Sequence, residues 1–149
     1  MAFNLHSEHL QDSWLDAYGH LNEGYYLVVF SNATWALQDY LGVGPAYTRL
    51  SGKALYTAES HLRYLREVRA PAMLEVVSSL FDFDPKKIHL GHVLIVDGQE
   101  CATVECALVH VSTETGRSCL FTDDQMERFA QAAEEKPSWS GARVTIRRS

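Results

Sequence analysis

Asp16-Ala-Tyr-Gly-His-Leu-Asn22 runs straight into Glu23-Gly-Tyr-Tyr-Leu-Val-Val-Phe30, and the residues beyond carry one apolar stripe. From position 24 to about 41, Tyr26, Phe30, Ala33, Leu37 and Leu41 recur at three- and four-residue intervals, which predicts a helix of about five turns. Gly42-Val-Gly-Pro45 stops it, because glycine takes the left-handed conformation past a helix end and proline cannot continue. Ahead of the helix, Asp16 opens a turn, Gly19 closes it and Asn22 stands at the N-cap. The first N–H groups of a helix lack intrahelical partners and carry the positive end of its dipole, so they can stabilise a developing oxyanion. Asp16 can then act as base or nucleophile on a carbonyl held over them. A plain turn and cap is the competing reading of the same residues.

The rest of the chain up to residue 113 reads as strands. Residues 3–14 form a first strand ending near Trp14 and Leu15. Residues 54–66 alternate, placing Leu55, Thr57, Glu59, His61, Arg63 and Leu65 on one face. Ala70-Pro71 marks a turn before a run from Met73 to Phe83, and Asp84-Pro-Lys-Lys87 leads into Ile88 to Val96. Asp97-Gly98 then signals a tight hairpin into Cys101 to Val111. Thr115-Gly116 is another turn, Asp123 to Glu135 a short helix, and Pro137 to Ser149 a mobile tail bearing Arg143, Arg147 and Arg148. The order is strand, one long helix, then four strands in a meander. A single striped helix needs one sheet face to cover it, so the expectation is an α+β chain whose antiparallel sheet wraps around one central helix.

At 149 residues the chain reads as one domain, with its core over about residues 3–113 and a C-terminal extension over 114–149. A net charge of −6 argues against nucleic acid and anionic membranes as partners. No apolar run is long enough to span a bilayer and the N-terminal residues show no basic region followed by an apolar stretch, so a cytoplasmic location is expected. Cys101, Cys106 and Cys119 fit neither a CxxC pair nor a zinc spacing and are expected as reduced thiols. His89 and His92 fall on opposite faces of a strand and cannot share an ion, which with His110 argues against any metal.

The element order, with Asp-x-x-Gly-His-x-Asn leading into the helix, resembles the hotdog fold and its 4-hydroxybenzoyl-CoA thioesterase branch. Three stretches, DAYGHLNEGYYLVVFSNATWALQDYLGVG (16–44), ESHLRYLREVRAPAMLEV (59–76) and FDFDPKKIHLGHVLI (81–95), are similar to thioesterases that accompany carnitine dehydrogenase, alone or as fused domains. The resemblance implies hydrolysis of betainyl-CoA to glycine betaine and CoA, with no cofactor, CoA being part of the substrate. It also implies a homodimer or homotetramer, since the family pairs two sheets across a two-fold axis. Asp16 matches the catalytic aspartate, the backbone N–H of Glu23 the oxyanion donor, and Tyr26 the aromatic of the first helical turn. His20 and Asn22 stand where that branch carries apolar and aromatic residues, which leaves open whether Asp16 attacks the carbonyl or deprotonates a water.

His20 can orient a water or the thioester oxygen, or simply close the turn; Asn22 can be an N-cap or a catalytic amide. His61 and Arg63, with Glu59, either line a polar substrate pocket or form a solvated stripe. Trp14, Tyr18, Tyr25, Tyr26 and Trp35 gather around the site, and their ring faces would attract a trimethylammonium acyl group at about 0.5–2 kcal/mol each, although Trp35 suits packing better. Asp16, His20, Asn22 and Glu23 thus form the expected catalytic set, and Tyr18, Gly19, Tyr25, Tyr26, His61 and Arg63 the substrate-binding set. Lys86, Lys87, Arg63, Arg66 and Arg69 are candidates for the CoA phosphates. Hydrolysis of other short, branched or aryl acyl-CoAs is the nearest alternative. A hotdog enoyl-CoA hydratase is disfavoured because its motif spaces Asp and His by five, whereas here the spacing is four. A non-catalytic acyl-CoA-binding regulator is disfavoured because no DNA-binding pattern accompanies the core.

Overall fold

A computed structural model describes residues 2–146. Its first strand, β1 (Ala2–His9), is shorter than the pattern suggests: a 3-10 turn at Asp12–Trp14 replaces the strand's end and buries Trp14. The long helix α1 (Glu23–Tyr40) follows, buried along Tyr26, Val29, Phe30, Ala33, Leu37 and two polar positions, Thr34 and Gln38. A second short helix, α2 (Pro45–Ser51), was not expected. Pro45, read as a helix stop, also starts a helix, because proline's missing N–H costs nothing in a first turn. Strands β2 (Lys53–Tyr64), β3 (Met73–Phe83), β4 (Lys87–Val96) and β5 (Gln99–Ser112) come next, and then α3 (Asp123–Ala132), capped by reciprocal Thr122–Gln125 bonds.

The five strands form one antiparallel sheet in the order β1-β3-β4-β5-β2. This is the expected α+β hotdog arrangement, with one correction. Only β3, β4 and β5 form a meander; β2 crosses over to the far edge and pairs with β5, not β3. Leu74, Val76 and Leu80 of β3, Leu90 and Leu94 of β4, and Val104 and Leu108 of β5 share one core with the α1 stripe. Fully burying such a side chain stabilises by roughly 1.5–3 kcal/mol.

A bulge between Thr57 and Glu59 changes the expected faces of β2. Beyond it Ser60, Leu62 and Tyr64 continue the helix-side face begun by Leu55, while His61 and Arg63 point to the sheet's outer face. One extra residue in a strand exchanges the two faces. That outer face is partly covered by the residues after Pro137, expected as a mobile tail. Trp139 packs edge-on against Phe81, and Ser140 Oγ and Gly141 N–H donate to Glu105 at 2.8 and 2.7 Å. The fit is close: a Cβ at Gly91 would lie 2.3 Å from the Phe81 ring. Arg147 and Arg148 lie outside the described residues.

Candidate active site

Asp16 begins a loop that turns back before α1. Its Oδ1 accepts the N–H groups of Tyr18 at 2.8 Å and His20 at 3.1 Å, and its own N–H donates to the His20 carbonyl at 2.8 Å. Gly19 has φ +77°, the left-handed conformation the turn requires. Two further bonds fasten the loop: Leu21 N–H to the Val68 carbonyl at 2.7 Å, and Asn22 N–H to the Trp14 carbonyl at 2.9 Å. One carboxylate oxygen of Asp16 therefore holds the turn, and Oδ2 has no donor among the described residues.

At the helix start, Asn22 Oδ1 accepts the Gly24 N–H at 3.0 Å, and the Tyr25 N–H goes to the Asn22 carbonyl at 3.0 Å. Among the described residues nothing takes the N–H of Glu23, the first residue of α1. Asp16, His20, Leu21, Asn22, Glu23, Tyr26, Tyr64 and Glu67 line one open cleft of about 290 Å³. It pairs a carboxylate with an unclaimed N–H at the positive end of a helix dipole. That combination can polarise a carbonyl and deliver a base or nucleophile to it.

The walls are aromatic and acidic. Tyr26 and Tyr64 meet edge to face with centroids 5.0 Å apart. Burial pushes the Tyr26 phenol up to about 12, with Cys101, Tyr64 and Asp16 adding to the shift, so it stays a donor to the Arg66 carbonyl at 3.3 Å. Burial, then the Glu23 charge, raises Tyr64, which donates to the Glu23 carbonyl at 3.0 Å. Asp16, Glu23 and Glu67 supply three carboxylates. His20 Nε2 lies 2.5 Å from Glu67 Oε2, and Arg69 reaches that same oxygen at 3.5 Å.

Of the ten expected site residues, the cleft brings together Asp16, His20, Asn22, Glu23 and Tyr26. Gly19 shapes the loop, Tyr18 points into solvent at 80% exposure, and Tyr25 stacks on Trp14 with centroids 5.5 Å apart. His61 and Arg63 are elsewhere: the β2 bulge places them on the outer face beside Gly141, Ala142 and Arg143. Trp35 is half-exposed on α1, apart from the cleft. Tyr64 and Glu67 were not singled out from sequence; no spacing rule connects position 67 with position 20, and the two segments are joined by tertiary contacts, the His20–Arg69 bridge and the Leu21–Val68 bond.

The three histidines weighed as metal ligands have their own partners. His92 is fully buried between Thr34 and Ser78, His110 bonds Tyr47 and the Cys119 carbonyl, and His89 bonds Glu105. Burial pushes Glu105 up, but Ser140, His89 and the Gly141 N–H outweigh it, so its carboxyl titrates below the ordinary value. No group of three or more potential metal ligands is present among the described residues.

A protein from Pseudomonas aeruginosa named betainyl-CoA thioesterase is 39% identical over 123 residues, spanning 81% of this chain and 77% of that protein. An Agrobacterium fabrum protein named L-carnitine dehydrogenase/betainyl-CoA thioesterase is 40% identical over 136 residues, 89% of this chain but 28% of that longer protein. Among solved structures, a candidate thioesterase from Pseudomonas putida KT2440 superposes with a TM-score of 0.84 at 28% identity, covering 99% of both chains. A hypothetical Staphylococcus aureus protein solved in complex with CoA shares the fold, with a TM-score of 0.85 at 22% identity over 95% of this chain and 94% of that one. The family model described as the thioesterase-like superfamily matches residues 10–129, and the chain belongs to that family as a hotdog-fold thioester hydrolase acting on acyl-CoA.

Proposed function

We propose that the chain hydrolyses betainyl-CoA to glycine betaine and CoA at the Asp16 cleft. The observation that carries this reading is the pairing of Asp16 with the unclaimed Glu23 N–H in a cleft walled by carboxylates and tyrosines. In a betainyl thioester the quaternary nitrogen is two bonds from the carbonyl carbon, so the cation must occupy the same small space as the reacting carbonyl. Three carboxylates and the Tyr26–Tyr64 pair suit such a cation, each ring face contributing about 0.5–2 kcal/mol. The names of the relatives point the same way.

In this reading the carbonyl oxygen rests on the Glu23 N–H, and the adjacent cation makes the carbon electron-poor. Asp16 Oδ2 removes a proton from water while the water oxygen bonds to that carbon. The C–S bond breaks, its electron pair leaves on sulfur, and the thiolate takes the proton back from Asp16. No cofactor enters, because CoA arrives within the substrate.

The working unit is read as a homo-oligomer. Leu27, Trp35 and Tyr56 are exposed around an apolar hollow between α1 and the edge strand β2, a surface suited to a second copy. No helix among the described residues is long and apolar enough to cross a membrane. The three unbridged cysteines suit a reducing compartment, and we read the enzyme as cytoplasmic.

The test compares kcat/KM for betainyl-CoA with that for 3,3-dimethylbutanoyl-CoA, in which a carbon replaces the quaternary nitrogen. Preference for the cationic thioester supports the reading. Equal or better turnover of the neutral one removes the betainyl assignment and leaves thioester hydrolysis standing.

A further inference from the structure

Glu67 belongs to no motif in the sequence, yet it meets His20 across the cleft. The Leu21 N–H bond to the Val68 carbonyl and the antiparallel His20–Arg69 bridge lock the two segments side by side. His20 is consequently held from two directions. Its main chain bonds Asp16 through the His20 N–H to Oδ1 and the Asp16 N–H to its carbonyl, and its ring faces Glu67.

The Nε2 atom is shielded from solvent and no aligned hydrogen bond reaches it, although Glu67 Oε2 lies 2.5 Å away. A buried imidazole nitrogen left without a partner is destabilising. A small rotation of either side chain turns this contact into a bond. The nitrogen that carries the proton in a neutral imidazole is set by the bond the other ring atom lacks or makes.

We propose that Glu67 is a positioning residue for His20, taking the hydrogen bond from Nε2–H and so leaving the lone pair on Nδ1. This rests on reading the cleft as hydrolytic. His20 Nδ1 then accepts a hydrogen bond from one hydrogen of the attacking water while Asp16 Oδ2 removes the other. The water's oxygen lone pair is thereby fixed on the carbonyl carbon, and the bonds made and broken are those of the hydrolysis above. Asp16, Glu23, Tyr26, Tyr64 and Glu67 line the cleft together with His20, and Glu67, with Arg69 beside it, is the carboxylate at the ring.

The experiment uses the intact protein and two variants, Glu67→Met, which keeps length but removes the acceptor, and Glu67→Gln, which keeps an acceptor without charge. The Glu67 side chain is 57% exposed, so both variants should fold, with circular dichroism as the check. Glu67→Met should lower kcat about tenfold or more on betainyl-CoA and equally on a neutral acyl-CoA, with KM within about threefold. Glu67→Gln, which can still accept the Nε2–H bond, should regain most of the lost kcat. An unchanged kcat in Glu67→Met overturns the proposal, as does a Glu67→Gln variant no more active than Glu67→Met, or a loss confined to KM for the cationic substrate, which would make Glu67 a counter-charge only. If the wild-type protein releases no thiol from any acyl-CoA, the hydrolytic reading fails in the control itself, before either variant is compared.

Discussion

Lowering the pH should destabilise this protein well above the range where carboxylates titrate, because its core encloses a neutral histidine. His92 has no solvent exposure; Nε2 lies 2.8 Å from Thr34 Oγ and Nδ1 2.7 Å from Ser78 Oγ. The Thr34 hydroxyl already donates to the Phe30 carbonyl at 3.0 Å, so Nε2 carries the ring proton and Ser78 donates to Nδ1. A second proton would put a charge in the core and force the Ser78 hydroxyl to turn round. Burial, with a smaller contribution from His6, pushes His92 from the usual 6.5 down to about 3. The unfolded chain therefore takes up the proton first as the pH falls. Stability from this residue is complete above about pH 6.5 and declines toward pH 3, by about 1.4 kcal/mol per pH unit. Between about pH 7.5 and 5 the loss amounts to about 2 kcal/mol. His110, also lowered by burial, acts in the same direction, so the comparison must be with a variant that removes His92 alone. Urea unfolding of the wild type and His92→Gln at both pH values separates the two. The variant starts less stable, yet its decline should be shallower by about 2 kcal/mol. Equal declines would refute the reasoning.

Phe30→Asp puts a charge where the wild-type side chain is 1% exposed, at the centre of the α1 stripe, and should prevent soluble folding. A soluble, cooperatively unfolding variant would contradict the placement of α1. Sedimentation at micromolar concentration should show at least a dimer, and a fully active persistent monomer would remove the reading of the α1–β2 hollow as a contact between copies.

The parts of this fold that were legible in the sequence are those fixed by local rules. The α1 stripe and the Asn22 cap follow from helical period, and the Asp97-Gly98 hairpin follows from turn chemistry, with both residues at positive φ. What was not legible depends on distant partners. The crossover of β2 to β5 leaves no mark within β2 itself, and the bulge at position 58 moves His61 and Arg63 away from the side an even alternation assigns them. The C-terminal segment reads as polar and loose because the atoms that hold it, on Phe81 and Glu105, lie in other strands. The site divides in the same way. Asp16, His20, Asn22 and Glu23 lie within one short stretch and were found together, whereas Tyr64 and Glu67 reach it through tertiary contacts such as the Leu21–Val68 bond and the His20–Arg69 bridge.

The most direct test of the central claim is Asp16→Asn. The amide keeps an oxygen where Oδ1 accepts the Tyr18 and His20 N–H groups, so the loop can retain its shape while the charge on the second oxygen is lost. If Asp16 is the base or nucleophile of thioester hydrolysis, thiol release from betainyl-CoA should fall roughly 10²–10⁴-fold in kcat, with KM changing far less. A variant that keeps more than about a tenth of the wild-type kcat would show that Asp16 only shapes the turn, and the chemistry would have to lie elsewhere.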